Sequence, residues 1–421
     1  SELEGAKRMD AEYYKPEYLE VVKKISDSVK YYHFGSLLEK FNSGKNWPQK
    51  PKGEIKFIRT QHIKEILIMD EENLTFCDGN PPKELLLTEG DLLFVRVGGV
   101  SNNSVVSRDY EGHFYSDNVL RVRIRKLNPF CICVFLNSYY GRKQLERVMK
   151  GIAQPLISRE NFEKLKIPEF SQKFQEIIEK FVLKAYYFKK ESLKFYSQAE
   201  NLLLEELGLK DFKPRYEKTY TAKLSDAFSA HRIDAEYFQP EYEEVIEKIK
   251  KKTELKPLGK LAERIKLKHK PEENKIYKYI EISDVSIDIG EVNYTEKLGK
   301  ELPPNARILV KGGELIVSKV RPTRGAIGII SIESKNNLIC SSAFSVFNVD
   351  SPLKEYLYIV IRSIIGKLQL EKPTKGTSYP TIEDRDVEKL KIPLLPLPTQ
   401  QKIASLVQQS HEARKKAKEL L

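Results

Sequence analysis

The chain has 421 residues, 40% of them hydrophobic and 31% charged, and its 72 Lys and Arg against 60 Asp and Glu leave a net charge of +12. That length exceeds what one hydrophobic core organises, so two or more domains are expected, and the apolar content excludes a disordered chain. No apolar run approaches the ~20 residues that cross a bilayer, and the first residues do not read as a secretory signal, so no membrane role is expected. The positive excess suits a polyanionic partner such as nucleic acid, and equally a soluble basic protein. Cys77, Cys131, Cys133 and Cys340 form no CxxC pair and no zinc spacing. Cys131 and Cys133 lie in the apolar stretch PFCICVFLNS and are expected to be buried thiols, which fits a cytoplasmic protein.

Taken in chain order, the sequence states one module twice. RMDAEYYKPEYLEVVKKI from Arg8 returns as RIDAEYFQPEYEEVIEKI from Arg232, with 12 of 18 positions identical. Ser138 to Pro168 returns as Ser363 to Pro393, with 15 of 31 positions identical, and the offset changes only from 224 to 225. Ser1 stands against a repeat already under way and is expected not to be the natural start. Residues 1–169 form the first module. It opens with a short amphipathic helix at EYYKPEY and continues into strands broken by Gly, Asn and Pro, among them KFIRTQHI and EGDLLFVRV. It closes with a helix from Gly141, a K-G-x-x-x-P-x-I loop and the strand LKIP. Residues 170–208 form a long helix, with Ser171 as N-cap and Gly208 as stop. Residues 209–230 are a linker. Residues 231–395 repeat the module, with KYIEISDV and GGELIVSKV as the matched strands, and 396–421 form a second long helix. The middles of the two modules have diverged almost completely.

The first long helix carries Phe174, Phe181, Phe188, Phe195 and Leu202 every seven residues, with Ile178, Ala185, Ser192 and Ala199 between them. This 4-3 alternation is the coiled-coil period. The second helix places Ile403, Leu406, Ser410, Ala413, Ala417 and Leu420 on the same rhythm. Large knobs on one helix stand against small residues on the other, so the two are expected to pack together; two independent surface helices are the competing reading. Duplex DNA has two-fold axes perpendicular to its length, and a duplicated reader that follows them makes the helices antiparallel. About 36 helical residues span ~54 Å at ~1.5 Å each, or roughly sixteen base-pair steps of ~3.4 Å. The expected fold class is α+β: two duplicated domains with bent mixed sheets, separated by two long helices forming an antiparallel coiled coil with pseudo-two-fold symmetry.

The doubled RxDAEYY/F-x-P-x-Y motif, the twin K-G-x-x-x-P-x-I…LKIP endings and the C-terminal LPLPTQQKIASLVQQSHEARKKAKELL together resemble the specificity subunit of type I restriction–modification systems. The resemblance covers essentially the whole chain, although the second helix stops short of the first. It implies two target-recognition domains, each reading one half of a split, asymmetric site on double-stranded DNA. It implies no catalysis and no cofactor in this chain. S-adenosylmethionine, ATP and Mg are expected in partner subunits, namely two copies of a DNA-adenine modification subunit and restriction/translocase subunits.

Chemistry of its own is not legible. Asn80-Pro81-Pro82 resembles the core of an adenine methyltransferase, but Lys83 stands where the aromatic that stacks on the flipped base is needed. GNPP is therefore read as a turn. No P-loop and no HExxH occur. A stand-alone nucleic-acid methyltransferase or nuclease is the alternative reading, and a coiled-coil scaffold without DNA is a second.

The binding candidates are loops. In the first module Lys45, Asn46, Trp47 and Lys50 form a basic loop around the only Trp, and Arg96, Ser101, Asn102 and Asn103 form a polar loop after a strand. Lys319, Arg321, Thr323 and Arg324 occupy the corresponding loop of the second module, and Lys266, Lys268 and His269 match the basic loop. Arg and Asn suit base edges because each can form paired hydrogen bonds to guanine or adenine; an ordinary solvated loop is the bland reading of any one of them. Lys150-Gly151 and Lys375-Gly376 offer a phosphate approach or merely a tight turn. Tyr13, Tyr14, Tyr237 and Phe238, kept in both copies, suit either partner docking or core packing.

Overall fold

The computed structural model describes residues 11–68, 74–96, 102–149, 159–266, 268–331 and 337–421. By internal packing the chain divides into one unit of Ser1–Tyr187 with Ala417–Leu421 and a second of Phe188–Lys416. Among the described residues no helix is long and apolar enough to cross a membrane, and no cluster of His, Cys, Asp or Glu could hold a metal ion.

In the first unit, helix α1 (Pro16–Ser28) begins at a proline, which has no amide hydrogen to lose at a helix start. Strand β1 (Tyr31–His33) follows, then β2 (Leu38–Ser43), β3 (Gln49–Lys50), β4 (Lys56–Ile58), β5 (Ile66–Leu67), β6 (Thr75–Cys77), β7 (Leu92–Val95), β8 (Asn103–Val105), β9 (Phe114–Tyr115) and β10 (Val119–Ile124). Helices α2 (Pro129–Asn137), α3 (Tyr139–Val148) and α4 (Arg159–Glu163) lead to β11 (Lys166–Pro168) and the long helix α5 (Gln172–Glu206). One mixed sheet runs β2-β10-β7-β8-β5, and a second runs β3-β6-β4-β9 with β4 and β9 parallel. Cys131, Cys133 and Cys77 are buried, and burial pushes the Cys131 thiol up to about 12 and Cys77 to about 11, so neither is a thiolate at neutral pH.

The second unit continues with α6 (Leu224–Ala230), α7 (Pro240–Lys250), β12 (Leu255–Pro257), β13 (Glu263–Arg264), β14 (Ile276–Ile280), β15 (Thr295–Leu298), β16 (Ala306–Val310), β17 (Leu315–Ser318), β18 (Ile327–Ile329), β19 (Leu338–Ser341) and β20 (Phe344–Asn348). Helices α8 (Leu353–Arg362), α9 (Ile364–Glu371) and α10 (Asp384–Glu388), strand β21 (Lys391–Pro393) and helix α11 (Leu397–Leu420) complete it. Its sheets are β13-β20-β17-β18 and β15-β14-β19-β16, the latter with β14 and β19 parallel. The β2-β10-β7-β8 order of the first unit therefore returns as β13-β20-β17-β18. KFI and KYI occupy equivalent parallel-paired strands.

The repeated sequence blocks coincide with the frame. The LKIP strand pairs antiparallel with the strand after the opening helix in both units, Tyr32 facing Ile167 in one and Lys256 facing Ile392 in the other. The shared Ser-x-x-Gly marks the corner between α2 and α3, and between α8 and α9. Ser138 and Ser363 accept backbone N–H bonds at the helix starts. A methyl group on Gly141 would lie 2.2 Å from the Phe135 carbonyl oxygen, and one on Gly366 2.0 Å from that of Ile361. No side chain fits at either corner.

Contacts between α5 and α11 within the second unit step in opposite directions along the two helices, which makes them antiparallel. The Lys416 ammonium lies 5.9 Å over the Phe188 ring, Ser410 donates to the Ser192 carbonyl at 2.8 Å, and Ile403 and Val407 share a core with Ala199 and Leu203. Ser192, Ala199, Ile403, Ser410 and Ala413 are buried there, while Phe188, Phe195 and Leu202 are half-buried, as is Leu406. In the first unit Ala185 and Ala417 are buried, Ile178 packs against the core, and Leu420 is half-buried. The expected phase needs one correction: Phe174 and Phe181 are 44% and 46% exposed. The buried line lies one residue later, at Gln175, Val182 and Leu203 with Tyr196 partly covered. The reason is that α5 also packs on the bodies of the units. Val182 joins the first core, Leu203 and Leu207 join the second, and Gln175 accepts from the Asn128 backbone at 2.6 Å. The helix turns toward those cores and the phenylalanines rotate outward.

Gly141→Ala and Gly366→Ala should each destabilise by about 1–3 kcal/mol through overpacking against backbone, read as a lower midpoint in denaturant unfolding. His411, edge-on to Tyr358 at 5.4 Å, is held down to about 3 by burial and then by the nearby Arg414, Arg362 and Lys354. Its folded value lies below the unfolded one, so its contribution is complete above about pH 6.5 and falls away as pH drops toward 3. His411→Phe should flatten the loss of thermal stability over that range; an unchanged slope would assign the acid sensitivity to other groups.

Candidate nucleic-acid interface

In the second unit the structure brings together two loops that are far apart in sequence. Beyond β17, Lys319 donates its amide to the Ala343 carbonyl at 2.8 Å, and its own carbonyl accepts from Ile382 at 2.9 Å. Val320 bridges to Thr381, and the Arg321 amide donates to the Pro380 carbonyl at 2.7 Å. The segment 375–381 is closed on itself by reciprocal bonds between Lys375 and Thr381 at 3.0 and 2.9 Å. Gly376 turns it at φ +89°, a conformation that side chains disfavour. Arg321 and Lys375-Gly376, read as separate candidates, thus lie on one surface.

Arg321 is itself left-handed, at φ +46°. The next residue, Pro322, starts the short Pro322–Arg324 turn with a φ already fixed for a helical first position. This backbone aims the guanidinium across the Tyr379 ring, 4.5 Å from its centroid, with Nη2 donating to the Ser378 carbonyl at 3.3 Å. Tyr379 remains 61% exposed, and Arg324 and Lys375 are exposed alongside. An exposed aromatic face, a held guanidinium and two further cations are donors and stacking surface for base edges and phosphates. Tyr379 was not singled out from sequence. The only available signal was a large aromatic between Ser378 and Pro380 in an otherwise small, polar loop.

Other predicted residues are consumed internally. Lys319 forms an ion pair at 2.9 Å with Asp384, which also accepts from Ser345 and pairs with Arg264 at 3.2 Å. Burial alone would raise Asp384, but the Ser345 hydroxyl and the Lys319 ammonium outweigh it and hold the carboxyl below its ordinary range. Lys319 is thus a structural cation. Thr323 is half-buried behind Arg324. Lys266 and Lys268 lie in the loop after β13, and His269 is fixed by its amide to the Arg307 carbonyl at 2.6 Å and by its ring to the Tyr277 hydroxyl at 3.3 Å.

In the first unit Lys45, Asn46 and Lys50 are exposed, with Lys50 3.4 Å from Asp78. Trp47 is an anchor: its indole N–H donates to the Asp78 carbonyl at 2.9 Å and its ring packs edge-on to Phe114. Asp78 leads into the turn at Gly79, φ +75°, just before Asn80-Pro81-Pro82. Arg96 reaches the Ser43 hydroxyl at 3.4 Å, and Asn102 is half-buried. Asn103 is a correction. It is fully buried at the start of β8, where Asn137 engages its carbonyl and side-chain oxygen, so it faces the core. Ser101, Lys150 and Gly151 lie outside the described residues.

In each aromatic pair one ring lies under an arginine of its own unit. The Arg147 guanidinium sits 4.3 Å over the buried Tyr13 ring and donates to the Tyr13 carbonyl at 3.1 Å. Arg232 sits 4.5 Å over Tyr237. Tyr14, Tyr237 and Phe238 are half-buried, and Tyr13 is closed to an outside partner.

Comparison with known proteins supports the resemblance read from the sequence. Residues 248–419 match the family model of the type I restriction modification DNA specificity domain. A type I restriction enzyme MjaIX specificity subunit from Methanocaldococcus jannaschii is 32% identical over 149 residues, a match that covers 34% of this chain and 32% of that protein. The match thus spans about a third of the relative's length. Among solved structures, a type I restriction-modification system S subunit from M. genitalium aligns over 94% of both chains at 13% identity and a TM-score of 0.44. An HsdS subunit from Thermoanaerobacter tengcongensis aligns over 93% of this chain and 91% of its own at 14% identity and a TM-score of 0.27.

Proposed function

We propose that this chain is the DNA-reading subunit of a type I restriction–modification system. It reads a bipartite, asymmetric duplex site with one half-site per module, and the paired helices α5 and α11 set the gap. The observation that carries this reading is a frame repeated in register, with reading loops that differ between the copies. One frame presenting two loop sets suits two different sequences. The chain performs no catalysis of its own; two docked adenine-modification subunits and the restriction subunits supply it, with S-adenosylmethionine, ATP and Mg bound in those partners. Phosphate contacts from exposed cations such as Lys45, Arg324 and Lys375 would give raw affinity and a steep salt dependence. Paired hydrogen bonds to bases would each add about 1–3 kcal/mol of discrimination. The apolar residues Phe174, Ile177 and Phe181, exposed on α5, give partner subunits a surface to cover.

Selection from random duplex DNA by the full chain with its modification partner should return two short blocks around a fixed gap; an unselected pool would reject the reading. Arg321→Ala should relax base preference in one block only, whereas uniform weakening across sequences would make Arg321 a phosphate contact. Matched deletion of one heptad from both long helices should shorten the gap by about three base pairs; an unchanged gap would remove the helices as its determinant.

A further inference from the structure

Arg362 is the last residue of α8 and is buried. Its Nη1 donates to the carbonyls of Gly325 at 2.7 Å and Ile327 at 3.0 Å, and its Nη2 to those of Ile287 at 2.9 Å and Asp288 at 2.8 Å. Its Nε donates to the Tyr196 hydroxyl of α5 at 3.1 Å. All five N–H groups of the guanidinium are used. Gly325 closes the turn that carries Arg321 and Arg324, so one buried cation holds the base of that turn, a second loop at 287–288 and the long helix.

The first module has a different residue at the same repeat position. Asn137 ends α2, directly before the Ser-x-x-Gly corner, as Arg362 does before its own. Its Nδ2 donates to the Asn103 carbonyl at 2.9 Å. Asn103 faces Phe94 across β7 and β8, and Ile327 faces Val317 across β17 and β18. Phe94 and Val317 are equivalent in the repeat, so the two side chains grip the same carbonyl of the repeated fold. The flanking serines and glycines are identical in both copies. The gripping residue is not: Asn137 holds only the start of β8, whereas Arg362 holds the equivalent strand start and the Gly325 turn as well.

We propose that the buried cation at this repeat position in the second module, Arg362, is a specificity-positioning residue that fixes from beneath the turn carrying Arg321 and Arg324, with which that module reads its half-site. This rests on the DNA-reading function above. The short amide reaches only the strand start. The long guanidinium reaches past it to the turn, a second loop and Tyr196. Neither side chain faces solvent, so neither contributes to phosphate binding.

The test uses the full chain carrying Arg362→Met, with Arg362→Lys as the milder variant that keeps the charge and fewer donors. Hydrogen exchange should accelerate at residues 287–288 and 321–327 in the Arg362 variants while the rest of the unit stays protected. DNA selection should show preference falling about tenfold in one half-site, with Lys intermediate, the other half-site unchanged, and the same slope of log affinity against log salt. Unchanged exchange in both Arg362 variants would overturn the clamp whatever the DNA result. Faster exchange with both half-sites intact would overturn its role in specificity. A wild-type chain that selects no sequence would overturn the DNA reading and the specificity role together, leaving the exchange data to decide the clamp alone.

Discussion

The pairing of Lys166–Pro168 with Tyr31–His33, restated as Lys391–Pro393 with Leu255–Pro257, is the constraint on which each module depends. A short strand near the end of a module hydrogen-bonds to one near its beginning, so the module is closed before any loop is specified. Main-chain bonds of this kind are indifferent to side chains outside the core. The close packing at Gly141 and Gly366 adds a second fixed point, since backbone there meets backbone. Between these points the sequence has been free to change, and it has.

This explains how much was legible in advance. The frame could be read because repetition makes a pattern visible where a single copy would not: the LKIP strands stood out by recurring, whereas the caps at Ser138 and Ser363 and the tight corners at Gly141 and Gly366 emerged only from the packing. The phase of α5 was less legible. Phe174 and Phe181 satisfy a coiled-coil rhythm, yet the helix answers to Val182 and Leu203 because it packs against two domain bodies as well as a partner helix. A heptad count identifies a stripe but not which of two adjacent stripes the rest of the protein covers.

Within the candidate loops, the sequence shows which side chains are present and not which are free. Lys319 and Trp47 have the chemistry of nucleic-acid contacts, but Asp384 and the Asp78 carbonyl occupy them. Asn103 has the right side chain and the wrong side of a strand. Composition gives the donors present; only the fold decides which of them are already engaged. Conversely, Tyr379 gains its interest from Arg321, a residue 58 positions earlier that the Val320–Thr381 bridge brings beside it.

One feature of the helix pair bears on precision. Ser192, Ser410 and Arg414 place hydroxyls and a guanidinium in a buried seam where alanine or leucine would give more adhesion. An all-apolar seam tolerates slippage, because one greasy contact resembles the next. Here a slip of two turns would part the buried Ser192 and Ser410 hydroxyls and set Ser410 against alanine, at a cost of about 1–3 kcal/mol. The pair behaves like a latch with a single notch: it gives up adhesive strength for a register that does not drift.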